Sequence, residues 1–133
     1  MRQACAALAV AGALVWLAAP AWGTAQGSNA APTNAGARAF QKCYSCHALG
    51  DTDEGAQGPS LKGIVGRAVA SWPGYDFSPA MRTYAERQPR WSRAALDAFL
   101  ADPQGMVPGS EMAFIGIRDA DERAALIDYL ASR

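Results

Sequence analysis

The chain reads as a small all-α domain whose helices are separated by long loops. Two observations predict this. Ser, Thr, Asp or Asn repeatedly stands ahead of segments whose apolar residues recur at helical spacing, the pattern of capped amphipathic helices. No stretch alternates apolar and polar residues as a strand would, and runs rich in Gly and Pro divide the helical segments. At 133 residues there is room for one domain. The charge is balanced, with 12 Lys+Arg against 12 Asp+Glu, which argues against a basic nucleic-acid binder.

Met1 to Trp22 carry a single charge, Arg2, followed by an apolar run ended by Pro20 and by the small residues Gly23-Thr24-Ala25. This is the pattern of a secretory signal peptide over residues 1–25. The alternative is an uncleaved anchor, because Cys5 to Trp22 approaches spanning length. Export places the protein in the periplasm; retention of the leader would tether it to the inner membrane facing the periplasm. Removing the leader takes away Arg2 and Cys5 and leaves the mature chain slightly acidic, with Cys43 and Cys46 as its cysteines. Residues 26–32 are small and polar, a flexible lead-in to a domain over 33–133.

Thr33 or Asn34 can cap a first helix through Gly36, Ala37 and Phe40 to about Lys42. A helical Gly costs about 1 kcal/mol relative to Ala, so Gly36 points to another helix crossing closely there. Gly50 to Pro59 is loop, and Leu61 to Val69 a short apolar turn. Ser78-Pro79 places a cap and a first-turn proline ahead of a short helix to about Arg87. Trp91-Ser92 opens another, with Leu96, Phe99 and Leu100 on one stripe, and Asp102-Pro103 stops it. Gln104 to Ile117 is expected to be a second long loop. Asp119-Ala-Asp-Glu122 resembles a capping box and starts the last helix.

One motif carries the chemistry. Cys43-Tyr44-Ser45-Cys46-His47 is Cys-x-x-Cys-His, the attachment signature of a c-type haem. Two thiols about one turn apart can add to two vinyl groups of one ring, and the adjoining imidazole can reach the iron. Cys-x-x-Cys alone also suits a redox dithiol, a zinc half-site or a disulfide. Zinc needs further ligands, yet the chain has no second His and, beyond the motif, only Cys5. No βαβ pattern surrounds the motif, as a thioredoxin-like site would require. One haem c with its iron is therefore the expected cofactor. Without a second His, a methionine is the obvious sixth ligand. Met81, Met106 and Met112 are the candidates, and the Pro108-Gly109 turn favours Met112 only mildly.

From Gly36 to Leu130 the chain resembles the class I, mitochondrial-type cytochromes c also found in the bacterial periplasm. The resemblance rests on Gly36 and Phe40, the Cys43–His47 motif, Gly58-Pro59-x-Leu61, Gly66-Arg67, Pro73-Gly74-Tyr75, Ser78-x-Ala80-Met81, Trp91, Leu96, Phe99-Leu100, Pro103, Pro108-Gly109-x-x-Met112, Phe114-x-Gly116-Ile117 and Glu122 to Leu130. It implies a fold of three main helices plus short ones around the haem, with His47 and Met112 as axial ligands. It further implies that the Pro59 carbonyl backs His47, and that Arg67, Trp91 and Ser110 contact the propionates. Tyr75 is placed to compensate for Phe77, which stands where a propionate-binding Tyr is common. Gly36, Phe40 and Tyr129 should form the crossing of first and last helices.

Three departures bear on the pocket: Phe99 in place of a common Tyr near the methionine sulfur, Phe77, and Met81 at an often polar position. Together they imply a drier pocket and a high reduction potential. The docking face, usually rich in lysine, retains only Lys42 and Lys62 in the whole chain, so steering towards an acidic oxidase should be weak. The resemblance implies a monomeric one-electron carrier rather than an enzyme. Its donors would be a quinol–cytochrome c reductase or a periplasmic dehydrogenase, and its acceptors a terminal oxidase, a peroxidase or a photosynthetic reaction centre. The alternative is a haem enzyme or gas-binding protein with a labile sixth ligand and weak peroxidase activity.

Overall fold

A computed structural model describes residues 34–133. The leader, the lead-in and Thr33 lie outside the described residues. Five helices follow in order: α1 (Asn34–Phe40), α2 (Pro79–Arg87), α3 (Arg93–Ala101), α4 (Pro103–Met106) and α5 (Ala120–Ala131). Among the described residues there is no named strand, only an isolated bridge between Ala68 and Arg90. No described helix is long and apolar enough to cross a membrane.

The caps act as their residue types suggest. Ser78, Ser92 and Asp119 accept from the backbone N–H of Met81, Ala95 and Glu122, each satisfying a donor that the first turn leaves open. The capping box is half-formed: the Glu122 carboxylate pairs with Lys42 at 2.6 Å instead of folding back on its own helix. Helix α1 ends at Phe40, two residues earlier than expected, and gives way to tight turns that run into the motif. The segment read as loop from Gln104 begins as helix α4. Asp102 closes α3 and caps α4, accepting from the Gly105 N–H, while Pro103 occupies the first helical turn. The same residue pair is thus both stop and start.

Helices α1 and α5 cross against each other. Gly36 is buried at the crossing, and a Cβ there would lie 2.6 Å from the Tyr129 Cβ and still closer to the Ala125 carbonyl oxygen. Phe40 packs on Tyr129 with ring centroids 5.7 Å apart. Leu126, Ile127 and Leu130 of α5 join Leu96, Phe99 and Leu100 of α3 in one apolar core. Fully burying such side chains contributes about 1.5–3 kcal/mol each. The core is one-sided, because several of these residues also line a large cavity.

Candidate haem site

The turn after α1 fixes the motif. His47 N–H bonds back to the Cys43 carbonyl at 2.9 Å, and Cys46 N–H to the same carbonyl at 3.0 Å. Cys43 is buried, Cys46 half-buried, and both thiols line the cavity. Burial pushes the Cys43 thiol up to about 11, against smaller opposing influence from Lys42. Neither cysteine is in a disulfide.

His47 is oriented from behind. Its Nδ1 lies 2.7 Å from the Pro59 carbonyl oxygen. A carbonyl only accepts, so Nδ1 carries the proton and Nε2 keeps its lone pair. Burial holds the imidazole below its ordinary pKa, outweighing the bond to Pro59, so the neutral, ligating form is favoured. Gly58 makes this approach possible, because a Cβ there would meet the ring, with Nδ1 only 2.8 Å away.

Arg67 and Trp91 are brought side by side. Trp91 N–H donates to the Arg67 carbonyl at 2.9 Å, and Gly66 N–H to the Trp91 carbonyl at 2.7 Å. The Arg67 guanidinium donates to the carbonyls of Ser60 and Lys62, both at 2.9 Å, and lies over the Trp72 ring. Its Nε is buried with no partner, and Arg67 is one of the residues lining the cavity. An orphaned charged donor beside a cavity is costly unless an anion meets it. A haem propionate is such an anion.

Ser110 and Met112 come from the loop after α4. Gly109 takes φ 83°, the left-handed turn that Pro108-Gly109 suggests. Ser110 Oγ accepts from Met112 N–H at 3.3 Å. Gln104 then ties the loop to α4, its side-chain amide reaching the carbonyls of Ser110 and Met112. Of the three methionine candidates, Met81 and Met112 line the cavity. Met106 does not, and its sulfur instead accepts from the Tyr84 hydroxyl at 3.3 Å. Tyr75 also lines the cavity, edge-on to Phe77, with its hydroxyl donating to the Gln57 carbonyl at 3.1 Å.

Apart from Met106, every residue singled out for the site therefore lines one cavity of about 460 Å³, within the roughly 300–1,000 Å³ of small-molecule and cofactor sites. Its remaining wall is mainly apolar, including Ile64, Leu96, Phe99 and Leu130. Paired thiols, a preset imidazole, a thioether and an unmatched guanidinium in an apolar slot fit a covalently held haem. Sequence reasoning missed Gln104 and the Tyr84–Met106 bond. Gln104 left no signal beyond its polarity, since its partners lie six and eight residues away in a loop of irregular path.

The family model described as Cytochrome c matches residues 33–133. Over 98 residues the chain is 35% identical to cytochrome c2 of Rhodomicrobium vannielii, covering 74% of this chain and 76% of that protein. Over 95 residues it is 38% identical to cytochrome c2 of Agrobacterium tumefaciens, covering 71% and 86%. The solved structure of cytochrome cH from Methylobacterium extorquens is similar with a TM-score of 0.68 at 37% identity, covering 75% of this chain and 97% of that one. On fold, site and relatives together, the chain belongs to the cytochrome c family, electron-carrying proteins that hold haem c and its iron.

Proposed function

We propose that the protein is a periplasmic one-electron carrier in which His47 and Met112 ligate the iron and Cys43 and Cys46 hold the ring. The bond from His47 Nδ1 to the Pro59 carbonyl is the observation that carries this reading, since it presets Nε2 as a donor in a cavity that Met112 also lines. When bound, haem supplies the ferric/ferrous couple. The chain's own residues do the rest. Pro59 fixes the His47 tautomer and strengthens its donation. Arg67, Trp91 and Ser110 meet the propionates. Phe99, Leu96 and Ile64 exclude water, and Gln104 keeps the Met112 loop closed.

With His47 and Met112 both holding the iron, no coordination site would be open to a substrate, which favours a carrier over a haem enzyme. The donor would be a quinol–cytochrome c reductase or a periplasmic dehydrogenase, and the acceptor an oxidase, peroxidase or reaction centre. A redox titration of the exported holoprotein with visible and near-infrared spectra tests this. A reversible one-electron wave with a methionine-to-ferric band is expected. A high-spin ferric spectrum would refute His/Met ligation.

A further inference from the structure

The second loop is unusual for its charge. Between Pro103 and Ile117 the only charged residue is Glu111. Glu111, Ala113 and Phe114 line the cavity, and Ile115 follows directly. Ile115 is 96% exposed and, with Tyr44 at 70%, is one of two large hydrophobic side chains displayed among the described residues. A shallow depression beside the cavity is walled by Gln104, Ala113, Phe114 and Ile115, with Asp102 at its edge. Ala113, Phe114 and Ile115 thus make a contiguous apolar patch beside the cavity mouth, the kind of surface that marks an interaction site.

The basic groups near the mouth are already engaged. Lys42 pairs with Glu122, Lys62 with Asp51, and Arg67 turns inward to backbone carbonyls. Among the described residues Glu111, which lines the cavity with Tyr75, has no ion-pair partner. The mouth is therefore apolar on the Ile115 side and bordered by unmatched negative charge.

We propose that this surface docks a redox partner whose own face is apolar at its centre and basic at its rim. Ile115 supplies the dry contact, and Glu111 selects the sign of the partner's charge. An apolar centre with a charged rim is the usual anatomy of a specific interface, and rim charge sets encounter rate more than affinity. The proposal rests on the electron-carrier reading and names the chemistry of the partner for that same site.

Two measurements on the ferrous holoprotein test it. Stopped-flow oxidation by tris(1,10-phenanthroline)cobalt(III), a cation, should slow as salt rises, whereas oxidation by hexacyanoferrate(III), an anion, should not. Glu111→Lys should lower the cation's rate and raise the anion's by at least about threefold each at low salt. NMR titration with a lysine-rich peptide carrying a central leucine should shift the amides of residues 111–115, and Ile115→Ser should weaken that binding. A glutamate-rich counterpart moving those amides instead, or an anion rate that falls with salt, would overturn the docking proposal while leaving the carrier intact. Failure to take up and release one electron reversibly would overturn both.

Discussion

The Gln104 side-chain amide donates to the Met112 carbonyl at 2.7 Å and to the Ser110 carbonyl at 3.2 Å, joining α4 to the loop that presents the methionine. A net hydrogen bond of this kind contributes about 0.5–1.5 kcal/mol. Gln104→Leu should therefore raise the open population of the loop by about tenfold. Imidazole binding to the ferric holoprotein should accelerate accordingly, and Gln104→Lys, which keeps a donor, should restore part of the difference. An unchanged imidazole rate in Gln104→Leu would show that the clamp does not hold the loop.

Gly58→Ala should damage the site without unfolding the domain. The added methyl would meet the His47 ring, which the Pro59 carbonyl holds through Nδ1. We expect weaker or altered axial ligation, seen as a shifted Soret band and a larger high-spin fraction. A wild-type spectrum would mean that the ring moves aside freely.

Gly36→Ala gains about 1 kcal/mol of helix propensity but drives a methyl against the Ala125 backbone at the α1–α5 crossing. Overpacking against backbone costs about 1–3 kcal/mol or more. Net destabilisation is expected in denaturant unfolding, with the visible spectrum of the folded protein retained. A gain in stability would mean that the two helices separate easily.

Tyr84 tests the aromatic support behind the pocket. It is buried, packs on Trp91 and donates to the Met106 sulfur. Burial raises its phenol above the ordinary value of 10.0. A raised acid pKa in the folded state gives stability that is fully present below the unfolded value and is lost as pH rises through the folded one. Tyr84→Phe should cost about 1 kcal/mol at neutral pH and flatten the decline in stability above pH 10. An identical alkaline limb in wild type and variant would exclude Tyr84 as its source.

Phe99 is buried, packs tilted against Trp91 with ring centroids 5.0 Å apart, and lines the cavity. A hydroxyl introduced there would favour the more highly charged ferric state. Phe99→Tyr should lower the midpoint potential by roughly tens of millivolts. An unchanged potential would remove the dry pocket as the reason for a high wild-type value.

The local part of this protein was legible in its residues. The caps at Ser78, Ser92 and Asp119 act within one turn of themselves, so their roles follow from residue type and position. The Cys43–His47 spacing likewise states its chemistry, whereas Gly36 suggested a helix crossing that a tolerated surface glycine would explain as well, until the close approach of Ala125 and Tyr129 decided it. Only the tertiary structure decided what depends on the path of irregular backbone. It excluded Met106 from the cavity by giving its sulfur to Tyr84, turned Asp102-Pro103 into the start of α4, and brought Gln104 to the Met112 carbonyl. It also left Ile115 facing water. Periodicity specifies which face of a helix is apolar, but a loop has no period, so its partners are set by long-range packing rather than by neighbours in the chain.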